Sequence, residues 1–168
     1  SFLFNKCTAL TSADFSKFDT SLVTNMENMF SNTKFESLDL KTFDTRNVLN
    51  MDSMFFDNYY LKSLDVSSFD TSKVTDMYKM FDTCSHVESL DLSKFRTSNV
   101  LDMGLMFREC YSLKSLDLSM FDTRNVKFML QMFEGDDDLV YLDISSFKTT
   151  NVKEMTKMFY KCKLTSID

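Results

Sequence analysis

Proline and tryptophan are absent from this chain, glycine occurs only at Gly104 and Gly135, and histidine only at His86. So few flexible or pre-bent residues argue against a fold built on tight Gly/Pro turns. Basic residues are in deficit: the net charge is −6 and the isoelectric point is about 4.8, the wrong sign for a nucleic-acid footprint. No run of eighteen apolar residues exists, so no membrane-spanning helix is expected. The opening Ser1-Phe-Leu-Phe-Asn-Lys-Cys7 lacks the charged start and long apolar stretch of a secretory leader. With no initiating Met, the chain reads as an excised piece of a larger protein.

Against these absences stand eighteen Phe and thirteen Met in 168 residues, which is enough apolar material for a real core. The excess has one source. Met-x-x-Met-Phe begins at Met26, Met51, Met77, Met103, Met129 and Met155, at intervals of 25, 26, 26, 26 and 26 residues, and Phe4 fits the tail of an earlier copy. Twelve of the thirteen Met and thirteen of the eighteen Phe fall in fixed columns of this register. The expected organisation is a single array over residues 1–168, of about six and a half 26-residue units.

Two hydrophobic rhythms alternate within a period. Leu61-x-x-Leu64-Asp65-Val66 has the beat of a short strand. Val74, Met77, Met80, Phe81, Cys84 and Val87 then follow at spacings of 3, 3, 1, 3 and 3, one face of a helix of about three turns. Asn99-x-x-Asp102 and Asn151-x-x-Glu154 resemble helix starts, with Asn as the cap. One strand and one helix cannot bury their own apolar faces, whereas stacked copies can. Strands separated by helices run parallel with right-handed crossovers. Strands pack about 4.8 Å apart and helices roughly 8–10 Å apart, which places helices on the outside of a curve. The predicted fold is thus α/β: a right-handed solenoid like the leucine-rich repeats, with a parallel sheet on its concave face and short helices on its convex face.

Leu61-x-x-Leu64-x-Val66-x-x-Phe69 resembles the leucine-rich-repeat strand signature, with Phe in place of the common Asn or Cys. The fuller unit, LDLSxFDTSxVTDMxxMFxxC, resembles the 26-residue repeat of the BspA-like bacterial surface proteins, known from mycoplasma and Listeria-type surface lipoproteins. The resemblance covers essentially the whole chain. It departs at Phe18, Phe43, Phe69, Phe95, Phe121 and Phe147, where that family usually has Trp. It implies leucine-rich-repeat architecture, a location at the cell surface or in secretion, and a role in adhesion or host interaction.

The candidate sites divide sharply. Paired thioethers can hold Cu(I), but Met beside Val and Phe on an apolar face fills a core. Cys7, Cys84, Cys110 and Cys162 share one column, and only Cys84 and Cys110 lie in adjacent units where a bridge is conceivable. Small buried thiols are the better reading, and no zinc spacing is present. His86 has no catalytic partner in sequence and reads as a solvated loop residue. No phosphate loop, nucleophile elbow or metal-binding helix motif appears, so neither an enzyme nor a cofactor is expected.

The most informative polar column is the middle of each strand. Asp39, Asp65, Asp91, Asp117 and Asp143, with Asp14 and Asp168 at the ends, alternate with inward apolar residues and so face outward. Ser63, Ser89 and Ser115 flank them, and Tyr141 interrupts that row. This set is the candidate concave binding face. Carboxylates about 5 Å apart repel by around 1 kcal/mol per neighbouring pair even in water. Hydrogen bonds from hydroxyls and amides, a cation or a basic partner must offset that repulsion. Glu36, Lys62, Glu88 and Lys114 alternate in sign from unit to unit, an arrangement that pins the register.

These readings leave three roles open: a noncatalytic adhesion or protein-interaction module, a stalk that sets distance, and a cation-binding array on the Asp ladder. The expected partner is a protein or glycan at a host or cell surface, not a nucleic acid. The uncapped ends are expected either to continue in the parent chain or to associate end to end.

Overall fold

The computed structural model describes residues 2–168. Five short strands appear: β1 (Ser37–Asp39), β2 (Ser63–Asp65), β3 (Ser115–Asp117), β4 (Tyr141–Asp143) and β5 (Ser166–Ile167). β1 pairs with β2, and β3, β4 and β5 form a second sheet in that order. All pairs are parallel and in the repeat register, for example Leu38 with Leu64 and Leu116 with Leu142. The strand expected at Ser89–Asp91 is absent. Leu90 is only half-buried there, and a cavity of about 80 Å³ lies beside it, lined by Asp91, Leu92, Asp117 and Met120. Met120 is the one Met outside the repeat columns, and at this point the sheets part.

The expected helices are not formed: no helix occurs among the described residues. The segment after each repeat's Val is a ladder of turns bonded to the next repeat. Met77, Lys79, Phe81 and Thr83 donate their N–H groups to the carbonyls of Asp102, Gly104, Met106 and Arg108, at 3.0, 3.0, 3.0 and 2.7 Å. The N–H groups between them close turns three residues back, Met80 onto Met77, Asp82 onto Lys79 and Cys84 onto Phe81. A helix would satisfy these groups within one unit, whereas here half of them link one unit to another, leaving few orphans in either case. A row of isolated parallel bridges, Asn25–Asn50–Asp76–Asp102–Phe128–Glu154, runs the length of this side. The 3-3-1-3-3 spacing suits either arrangement, because it places the same side chains inward every turn.

These turns need left-handed backbone, and glycine does not supply it. Among the described residues, twelve non-glycine residues have positive φ, including Lys79 (56°), Thr83 (61°) and Leu105 (56°), while Gly135 (80°) is the one such glycine. Each non-glycine case costs on the order of 1 kcal/mol, which the inter-repeat bonds offset. The scarcity of glycine therefore did not exclude a turn-built fold.

Asn99 and Asn151 are not helix caps. Their side-chain amides donate to the carbonyls of Ser72 and Arg124, 27 residues earlier, at 2.8 Å. They are clips between neighbouring units. With hydrogen bonds joining units on both sides, the wider helix spacing from which curvature was expected is missing.

The core is one cluster of stacked columns. Both Met of the pairs from Met26 to Met132 are buried, as their apolar setting implied. The longest ring stack belongs to the Met-Phe column and not to the strand-exit column. Phe4, Phe30, Phe55, Phe81, Phe107, Phe133 and Phe159 follow one another at 5.6–6.0 Å with planes within 11°. This is offset stacking, the favourable parallel geometry for aromatic rings. At the strand exits Phe95 stacks on Phe121 at 6.4 Å, while Phe69 meets Phe55 of the main ladder.

Thr20, Thr45, Thr71, Thr97 and Thr123 form a buried column. Thr97 Oγ1 donates to the Asp122 carbonyl at 3.2 Å and accepts the Asp122 N–H at 2.8 Å. Thr71 does the same with Arg96, and Thr123 with Lys148. Each hydroxyl satisfies both backbone groups of one residue in the next unit, a role that Val at the same size cannot fill.

Candidate functional site

The strand face carries its carboxylates as the alternation required. Leu38, Leu64, Leu116 and Leu142 are buried, while Ser63, Asp65, Ser115 and Asp117 flank them exposed. Asp39 and Tyr141 are exposed and Asp143 is half-buried. Ser89 and Asp91 are also exposed but lie outside any strand, at the gap between the sheets.

Each Asp of the ladder, at a strand end or, for Asp91, at the gap, accepts the backbone N–H two residues on. The donors to Asp39, Asp65, Asp91, Asp117 and Asp143 are Lys41, Ser67, Ser93, Ser119 and Ser145, at 2.9–3.2 Å. This local turn is what Asp does readily at a chain reversal. Ser67 Oγ adds a 2.6 Å bond to Asp65. The bonds from Ser67, Ser93 and Ser119 hold the carboxyls of Asp65, Asp91 and Asp117 below the usual range. Hydrogen bonding to the charged form outweighs the repulsion along the ladder, so these carboxylates are ionised and oriented at neutral pH.

A pH dependence follows. A depressed folded pKa contributes stability that is present above the unfolded value near 3.9 and is lost as pH falls through the folded value. Asp91→Asn is therefore expected to lower the melting temperature slightly at pH 7, with a difference from the parent that shrinks as pH falls below the unfolded value. A variant more stable than the parent at pH 7 would show a repelling ladder instead.

The alternating charges meet as expected. Lys62 Nζ lies 2.9 Å from Glu36, and Lys114 Nζ lies 2.6 Å from Glu88, both pairs exposed. Such pairs contribute little energy and act chiefly on register. All four cysteines are free, and Cys84 and Cys110 are buried with Sγ directed at the Phe55 and Phe81 carbonyls, 3.2 Å away. Burial pushes the Cys84 thiol well up, the state of an inert core thiol.

His86 is half-buried and not simply solvated. Its Nδ1–H donates to the Tyr59 carbonyl at 2.6 Å, and its ring lies edge-on to Tyr59 at 4.5 Å. Tyr59 also lies edge-on to Tyr60 at 5.4 Å, and Tyr59, Tyr60 and Tyr111 are 51%, 47% and 40% exposed. Lys34 sits over Tyr60 at 5.8 Å. Sequence reasoning passed over these aromatic residues, whose signal was the large, non-repeating residues four to five positions after the Met-Phe column. Tyr141, on the face itself, donates its hydroxyl to Asp168 at 3.2 Å.

Among the described residues, no group of three or more His, Cys, Asp or Glu is arranged to hold a metal ion. No helix there is long and apolar enough to cross a membrane.

Tandem units of one sequence pattern, paired in parallel register and sharing one core, define a repeat protein. The chain belongs to the family described as "Mycoplasma protein of unknown function, DUF285", whose model matches it twice, over residues 1–115 and 83–167. No curated protein and no solved structure matches the chain.

Proposed function

We propose that the chain is one right-handed solenoid array whose strand face is a noncatalytic binding surface, displayed at the cell surface or secreted. Its partner is a protein or glycan of a host or neighbouring cell. The right hand follows from the general rule for parallel crossovers. The likeness of LDLSxFDTSxVTDMxxMFxxC to the BspA-like surface repeats supports both the location and the adhesive role, and the Mycoplasma-type repeat family is consistent with it.

The observation that carries the reading is the fixed ladder of five carboxylates, four exposed and one half-buried, each locked by its own backbone turn, with exposed Tyr141 in the same face. Ordered side chains on a stacked scaffold lose little entropy on binding, and exposed aromatics are the usual anchors of an interface.

A second reading, a stalk that sets distance, is favoured by the regularity of the stack, since a spacer needs only its length. The two separate in one experiment. The purified chain and an Asp65→Ala/Asp91→Ala/Asp117→Ala variant are applied to epithelial cells and to immobilised matrix proteins and glycans. Saturable binding that the variant loses, with its fold intact by circular dichroism, supports the adhesive face. Absence of saturable binding by the parent chain supports the stalk.

A further inference from the structure

One column departs from its own pattern at a buried position. The residues three after the Met-Phe motif are Thr33, Asn58, Cys84, Cys110, Asp136 and Cys162. Where this column carries Cys or Asn, a side-chain donor is aimed at the backbone carbonyl of the motif Phe one unit earlier, whereas Thr33 Oγ1 donates to Asn58 Oδ1 at 2.6 Å. Cys84 Sγ meets Phe55 O and Cys110 Sγ meets Phe81 O, each at 3.2 Å and 29 residues back, and Cys162 Sγ meets Phe133 O. Asn58 shows the same joint in amide form. Its Nδ2 donates to Phe30 O and Phe55 O at 2.8 and 2.9 Å, while its Oδ1 accepts the Thr33 N–H at 3.1 Å.

Asp136 copies half of the Asn58 arrangement. It is 0% exposed, and its Oδ1 accepts the Cys110 N–H at 2.9 Å, as Asn58 accepts that of Thr33. Its Oδ2 is buried with no hydrogen-bond partner. By register, Oδ2 takes the place of the Asn58 amide nitrogen, and the carbonyl 29 residues back is that of Phe107. An ionised carboxylate has only lone pairs to offer there, whereas a carboxylic acid has one O–H donor. The charged and titratable groups around it give an ionised form no support. They are the carboxylates of Asp82, Asp137 and Glu109 and the thiols of Cys110 and Cys162, and the nearby Arg108 is committed to Asp82 at 3.0 Å.

We infer that Asp136 is held as the neutral acid, its Oδ2–H serving as the donor to the Phe107 carbonyl, and that its ionisation is a pH-operated release of the joint between the Phe107 and Phe133 units. On release the proton passes to water, and a bare carboxylate is left facing a carbonyl with no donor between them. Burial is the largest influence on this group and drives its pKa well up, with Asp82, Asp137 and Glu109 pushing the same way and only the Cys110 N–H opposing. A raised folded pKa gives stability that is complete below the unfolded value and lost as pH rises through the folded one. The joint is therefore closed in acid and loosens with alkali.

The test is the melting temperature of the full chain and of Asp136→Asn between pH 5 and pH 9. The Asn side chain brings the Asn58 donor without a titrating proton. The variant is expected to gain on the parent as pH rises from 5, and to exceed it by several degrees at pH 9. Infrared difference spectra of the parent alone, between pH 6 and pH 9, are expected to show a protonated carboxyl stretch that disappears with alkali. That second measurement decides the matter if the variant fails to fold. A melting difference constant across the range, or no protonated carboxyl at pH 6, overturns the inference.

Discussion

Phe107→Ala is expected to cost the array about 3–5 kcal/mol, the range for removing a fully buried aromatic ring. Phe159→Ala should cost markedly less. Phe107 is fully buried between Phe81 and Phe133 at 5.7 Å on either side. Phe159 stacks on Phe133 and is 38% exposed. Removing the inner ring breaks two stacking contacts and leaves a void that neighbouring units, hydrogen-bonded on both sides, cannot close. In a stacked array stability is carried by nearest-neighbour interfaces, so the inner change should also uncouple the two halves. Guanidinium titrations would show this as a lower midpoint and a shallower or split transition for Phe107→Ala. Equal losses at the two positions would contradict the ladder.

Arg108→Ala is expected to be as damaging by a different route. Arg108 Nε lies 3.0 Å from Asp82, whose side chain is fully buried and receives one further bond, from Thr83 Oγ1 at 2.9 Å. The second carboxyl oxygen, Oδ2, is buried without a partner. Removing the guanidinium leaves a buried charge uncompensated, which costs about 3–5 kcal/mol. Burial already pushes the Asp82 carboxyl up, against the opposing pull of Arg108 and Thr83. Without Arg108 that rise grows. Stability then falls as pH rises through the folded value, and acid should restore the variant. The double variant Asp82→Ser/Arg108→Ala should recover most of the loss at neutral pH, because the same column already holds a buried Ser31. Denaturant midpoints at pH 5 and pH 8 check both statements. A single variant that stays unstable at pH 5 would place the damage in packing and not in charge.

The array, its period, the inward Leu, Met and Phe columns and the outward Asp ladder were all legible in the residues alone. Each is a matter of which side chains recur and which of them water rejects, and a tandem repeat states that six times over. The strand positions followed for the same reason, as alternation about Leu38, Leu64, Leu116 and Leu142 admits no other face. The Glu36–Lys62 and Glu88–Lys114 pairs followed from sign alternation at one repeat's distance. The choice between a repelling and a bonded Asp ladder did not, because it rests on the backbone N–H two residues after each Asp, which the structure supplies.

What the residues left undecided was where the backbone hydrogen bonds of the second half of each unit go. Val74, Met77, Met80, Phe81, Cys84 and Val87 face inward equally well from a helix and from a ladder of turns. The helix satisfies its N–H groups within one unit, and only the presence of a neighbour makes the alternative available. With that neighbour in place, Met77, Lys79, Phe81 and Thr83 bond across to it. Lys79, Thr83 and Leu105 then accept left-handed backbone that their own preferences oppose. The flat ring stack from Phe4 to Phe159, the two-way Thr bonds, the gap at Asp91 and the donorless Oδ2 of Asp136 all belong to contacts between units. They depend on the distance and register at which one copy meets the next, which is a property of the stack and not of any single repeat.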